Sequence, residues 1–160
     1  MTGERPHIAV IGLDGADPEV LQQYIADGRL PVLAKLLRKS REVEVRTEGE
    51  LFVSSIWPCF ASGLSAGSHG IHAFRPLRSG TLKIKEWADY RSPTPFWETA
   101  ARAGVSTCVL DAPYYGPPLD PNGLESLRLV EWGPHPYIRP PGSFPPDIIE
   151  RLLKRYGPNP

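Results

Sequence analysis

The run His7 to Leu13, HIAVIGL, followed at once by Asp14-Gly15-Ala16-Asp17-Pro18, restricts the fold more than any other stretch of the chain. Its hydrophobicity is continuous rather than alternating, which predicts a strand buried on both faces, as at the centre of a parallel sheet. Asp17 is placed to cap a helix with Pro18 at its first position, and Val20, Leu21, Tyr24 and Ile25 recur at helical spacing until Gly28. Strand, tight turn and helix in that order are the opening of an α/β domain.

The rest of the chain continues the pattern. Leu30 to Lys39 predicts a second helix with Leu33, Leu36 and Leu37 inward and basic residues in its last turn, and Arg41 to Thr47 alternates like a strand near a sheet edge. The stretch LFVSSIWPCFASG predicts a short helix with Ser54 or Ser55 at its N-terminus, Pro58 in the first turn and Gly63 as its stop. Leu82 to Trp87 alternates after the Ser79-Gly80 turn, so residues 75–92 are expected to form a hairpin insert. Thr94 and Pro95 predict a helix to Ala103, Val105 to Leu110 a second buried strand, Leu127 to Trp132 a further strand, and Pro146 to Tyr156 a last amphipathic helix. The intervening residues 112–145 form a Pro-rich irregular segment.

Composition narrows the class. The 160 residues are 41% hydrophobic, and 18 Lys plus Arg balance 18 Asp plus Glu, so no net field draws the molecule to a nucleic-acid duplex or an acidic membrane. The two cysteines, Cys59 and Cys108, lie outside any C-x-x-C spacing, which excludes a disulfide framework and suits a reducing compartment. With no apolar stretch of membrane-spanning length, the expectation is a cytoplasmic protein.

In open α/β sheets ligands gather beyond the carboxyl ends of the strands. Asp14 is expected there, where a short carboxylate followed by glycine is a hard-cation ligand; the alternative is that Asp14 or Asp17 caps the next helix. Ser54 and Ser55, at a helix N-terminus, are candidate nucleophiles, since the helix dipole and a neighbouring metal both favour an alkoxide; their alternative is also an ordinary cap. Gly63-Leu64-Ser65-Ala66-Gly67 matches G-x-S-x-G, the nucleophile elbow of α/β-hydrolases, but that elbow follows a buried strand and the preceding residues read as helical. His69 and His72 lack the further ligands a zinc site needs, and His135 in WGPHP reads as loop structure.

Taken together, IGLDGADPEVLQQYIADGRLPVLAKLL, SSIWPCFASGLSAGSHGIHAF, TPFWETAARAGVSTCVLDAPY and VEWGPHP resemble the alkaline phosphatase superfamily, in particular its type I phosphodiesterase and nucleotide pyrophosphatase branch. The resemblance implies a parallel-sheet three-layer sandwich core, two divalent metal ions, often zinc, and a Thr or Ser nucleophile attacking a phosphate ester in line. It implies that Asp14 is a metal ligand and that His69 and Gly70 belong to the turn closing the nucleophile helix. Two departures stand out. Counting back without gaps from Gly63 to His69, Val53 takes the nucleophile's register, which leaves Ser54 or Ser55 to replace it. The family's later ligands include an Asp-His pair, and no Asp-His dipeptide occurs here.

The expectation is therefore an apparently truncated N-terminal α/β portion, residues 1–160, of a metal-dependent phosphoester hydrolase acting on a small-molecule phosphodiester or nucleotide. Asp14 and the serine pair would be its active-site residues. A second reading is a non-catalytic α/β module that acts by homodimerisation or by docking to a missing C-terminal half. A third is a serine hydrolase using Ser65.

Overall fold

The computed structural model describes residues 7–45, 53–73, 76–84, 92–116, 126–132 and 141–158. The chain divides into two compact units, residues 1–45 and 46–160.

In the first unit, helix α1 (Pro18–Ala26) starts as the sequence predicts. The Asp17 carboxylate accepts hydrogen bonds from the backbone N–H groups of Glu19 and Val20 at 2.8 and 3.2 Å, and Pro18 occupies the first helical position. Gly28, at φ 72°, turns the chain out of it. Helix α2 (Pro31–Leu37) is shorter than the predicted span Leu30–Lys39, and neither helix has a buried residue.

The strand expected at His7–Leu13 does not form. These residues join no ladder, and Ile8 and Ile11 are 84% and 81% exposed. Residues 41–45, the described part of the predicted edge strand, are likewise irregular, with Val43 and Val45 exposed. β-propensity expresses a fit to a paired, half-buried surface, and among the described residues of this unit neither segment has a strand beside it.

The second unit holds the sheet. β1 (Cys108–Leu110) pairs in parallel with β2 (Leu127–Val130), and β2 pairs antiparallel with β3 (Gly142–Phe144). The architecture is mixed α/β, with a three-stranded mixed sheet and six α-helices among the described residues, in place of the all-parallel sheet expected. The central strand β2 carries the burial: Arg128, Leu129 and Val130 are all buried, while β1 buries only Val109. Around the sheet lie α3 (Ile56–Ser62), α4 (Ala66–His69), α5 (Phe96–Arg102) and α6 (Asp147–Tyr156). Helix α5 starts two residues after the expected cap, Thr94, with Pro95 at the cap position.

The core gathers Ala61 of α3, Trp97 of α5, Val109 of β1 and Tyr115, with Ala112 and Tyr114 against them. Edge-on aromatic contacts lead from the surface into it: exposed Phe60 meets exposed Phe96, Phe96 meets Trp97 and Trp97 meets Tyr115, with ring centroids 5.8, 5.1 and 4.9 Å apart. The Ser92 hydroxyl donates to the Tyr114 carbonyl at 2.7 Å, closing the chain around α5 and β1. Ser143 in β3 accepts from the Ile149 N–H at 2.9 Å and donates to the Pro145 carbonyl at 2.6 Å, fixing the start of α6 to the sheet. Of the expected hairpin insert, the described part is a bridge between Leu77 and Ile84 across a turn at Gly80; residues 85–91 lie outside the described residues, as do 117–125 and 133–140 of the Pro-rich segment.

Candidate functional site

Asp14 lies in the turn that leads into α1 and is exposed. Gly15, at φ 65°, adopts the left-handed conformation that this turn requires. Of the two aspartates weighed as caps, Asp17 is the one whose carboxylate accepts from the first turn of α1.

Ser54 and Ser55 are adjacent in a single 3₁₀ turn, Val53–Ser55, that runs directly into α3. Ser55 stands at the cap position but makes no side-chain cap bond, and it is only 2% exposed; Ser54 is half-buried. Pro58 sits at the third position of α3, where its missing N–H removes no helical bond. Gly63 and Gly70, at φ 70° and 71°, end α3 and α4 in the left-handed conformation, and these two reversals fold the Gly63–Ile71 turn back beside α3. His69 is the last residue of α4, a separate short helix; α3, which follows the serine pair, is closed at Gly63, so the turn expected to hold His69 and Gly70 ends α4 instead. Ser65 precedes α4, its hydroxyl 3.0 Å from that of Ser68, and the element before it is a helix. The strand, sharp turn and helix of a nucleophile elbow are therefore not built around Ser65.

The reversal brings together a pair that sequence reasoning did not join. Cys59 Sγ lies 3.2 Å from His69 Nε2, and the Ile71 N–H donates to His69 Nδ1 at 3.0 Å. Because Nδ1 accepts, the neutral ring carries its proton on Nε2 and presents it to the sulfur. The ten-residue separation matches no helical repeat, and the two αL glycines were the available signal for this return.

The second unit also holds a buried polar group of a kind no periodicity announces. Arg128, 1% exposed, donates from Nη1 to the Gly116 carbonyl at 3.0 Å, pairs through Nη2 with Glu98 Oε1 at 3.6 Å and faces the Trp97 ring at 5.6 Å. A guanidinium taken from water needs such partners. The Tyr115 hydroxyl and Trp97 Nε1 are buried without a hydrogen-bond partner. Burial, above all, pushes the Tyr115 phenol up to about 12, with the charges of Glu98 and Cys59 acting in the same direction and Arg128 against it.

The parallel pair of strands ends in two carboxylates, Asp111 and Glu131, at φ 49° and 57°. Asp111 ties the strand ends together, its backbone N–H donating to the Leu129 carbonyl at 2.9 Å and its Oδ1 accepting from the Trp132 N–H at 3.1 Å. The end of the strand at Leu110 was legible in the sequence; the tie was not.

The serine pair and the Cys59–His69 pair thus belong to one helical corner of the second unit, and Asp14 belongs to the first. Among the described residues no three His, Cys, Asp or Glu side chains gather as a metal centre, so these residues do not fit a resident divalent ion unaided. His135 lies outside the described residues. Among the described residues no helix is long and apolar enough to cross a membrane.

Compared with known proteins, residues 8–151 match the family model of type I phosphodiesterase / nucleotide pyrophosphatase. No curated protein and no solved structure matches the chain.

Proposed function

Because the chain belongs to the type I phosphodiesterase / nucleotide pyrophosphatase family, we propose that it hydrolyses a small-molecule phosphodiester or nucleotide by in-line attack of a serine hydroxyl on phosphorus. The observation that carries this reading is the extent of the match, which takes in both the Asp14 turn and the Gly63–Ile71 turn.

Ser54 is the better placed of the two hydroxyls, since it is half-buried where Ser55 is enclosed. Its Oγ forms the bond to phosphorus as its proton passes to water, the P–O bond to the departing alcohol breaks and that alcohol takes up a proton from solvent, and water later releases the remaining phosphate monoester from the serine. In this family a divalent ion supplies Lewis-acid stabilisation of the attacking and leaving oxygens. Asp14 is the candidate ligand this chain supplies, and one exposed carboxylate does not hold such an ion against water. Cytoplasmic placement accompanies the reading and rests on the two free cysteines.

Turnover of bis(p-nitrophenyl) phosphate by the full chain tests the proposal. Ser54→Ala is expected to lower kcat by about a thousandfold, whereas unchanged rates in both Ser54→Ala and Ser55→Ala would reject serine attack. The exposed Ile8 and Ile11 favour the second reading, a non-catalytic module that self-associates. In that case the chain gives no turnover, and its sedimentation depends on concentration.

A further inference from the structure

The balance of charge over the whole chain conceals a local excess. Residues 75–85, RPLRSGTLKIK, carry Arg75, Arg78, Lys83 and Lys85 and no acidic residue, in a chain whose net charge is zero. The described part of this stretch, residues 76–84, is a tight hairpin in which Leu77 and Ile84 pair and the Arg78 N–H donates to the Lys83 carbonyl at 2.9 Å. Its return is tied locally. The Thr81 N–H and hydroxyl both donate to the Arg78 carbonyl, at 3.0 and 3.1 Å, and the same hydroxyl accepts from the Lys83 N–H at 3.2 Å. Opposed residues of an antiparallel pair share a face and successive residues alternate, so Leu77 and Ile84 lie on one face and Arg78 and Lys83 on the other. All four are exposed, and Leu82 in the return is 92% exposed, more than any other large apolar side chain among the described residues.

We propose that this hairpin docks the protein on the surface of an anionic phospholipid bilayer. Leu82 enters the boundary of the acyl chains, and the long stems of Lys83 and Arg78 carry their charges to the lipid phosphates. The pairing of cations with aliphatic side chains is what selects this partner. A nucleic acid offers phosphates, but its bases are met by aromatic or hydrogen-bonding side chains, and this hairpin presents leucine and isoleucine. A stable protein interface draws on about 20–30 residues a side, and the hairpin has nine. A bilayer sets phosphate directly above hydrocarbon and responds to single residues. A local cluster is also enough for it. The surface potential of an anionic membrane falls off within a Debye length, about 8 Å at physiological salt, so it acts on the nearest charges rather than on the net charge of the molecule.

The test is cosedimentation of the full chain with vesicles of equal parts phosphatidylcholine and phosphatidylserine. Binding is expected to fall with added salt and to be about tenfold weaker on phosphatidylcholine alone. Lys83→Gln is expected to weaken it about fivefold and Leu82→Asn about tenfold, while Lys83→Arg keeps it. Both positions are exposed, so urea unfolding of these variants is expected to match that of the unsubstituted chain. Lys154→Gln removes the same charge from the exposed basic end of α6 and is expected to leave binding unchanged. Duplex DNA at equal phosphate concentration is expected not to displace the vesicles. The proposal is overturned by any of four results: no binding or equal binding to phosphatidylcholine alone, undiminished binding in Lys83→Gln or Leu82→Asn, a loss in Lys154→Gln as large as in Lys83→Gln, or displacement by DNA.

Discussion

In the first unit neither α1 nor α2 buries a residue, whereas in the second Trp97 of α5, Leu129 of β2 and Ile149 of α6 are each more than nine-tenths buried. The sequences are not correspondingly different, since His7 to Leu13 is the most uniformly apolar run in the chain. What separates the units is partnership. The first is defined by local devices, the Asp17 cap, Pro18, Pro31 and the Gly28 stop, each acting within a few residues. The second is held by contacts distant in sequence, such as Trp97 on Tyr115 and Arg128 on Glu98. Helices can be specified locally; burial cannot.

The contrast can be broken by substitutions. Its strongest form is Trp97→Ala, which removes the ring between Phe96, Tyr115 and Arg128 and is expected to destabilise the second unit by about 3–5 kcal/mol, read by urea unfolding. A loss under about 1 kcal/mol would mean that this core does not carry the unit. Next is Asp17→Ala, expected to cost about 1 kcal/mol and to show as faster amide exchange at Val20 and Leu21 with no change in the second unit. If α1 kept its protection, the cap would not be what defines it.

Tyr115→Phe has the smallest effect at neutral pH. Its hydroxyl has no partner to lose, so stability is expected to hold or rise slightly. The alkaline limb shows the difference. Since folding raises this phenol from 10.0 to about 12, its contribution is complete below pH 10.0 and is lost as pH rises through that interval. The Phe variant is expected to flatten that part of the stability profile, and thermal unfolding against pH measures it.

These differences also explain what could be read in advance. The cap of α1, the stop at Gly63, the positions of β1 and β2 and the span of α6 were legible because each has a signal inside its own residues. The strand at His7–Leu13 was misread because continuous hydrophobicity reports a capacity for burial, and pairing depends on residues elsewhere. β3 was missed because Gly142-Ser143-Phe144 sits among prolines and owes its extended form to β2 and to the Ser143 bonds. For the candidate site, the serine turn and its following helix were visible, whereas the sulfur–imidazole contact required two chain reversals that no periodic pattern encodes. Arg128 read as an ordinary charged strand residue until its three neighbours were in place.

The bond from the Ser92 hydroxyl to the Tyr114 carbonyl bears on the order in which the second unit assembles. It spans 22 residues, and between its ends lie both Trp97 and Val109, two members of the core. The entropy of closing so short a loop is modest. The α5–β1 stretch can therefore organise with little help from remote chain, and it offers α3 and β2 a preformed surface on which to condense.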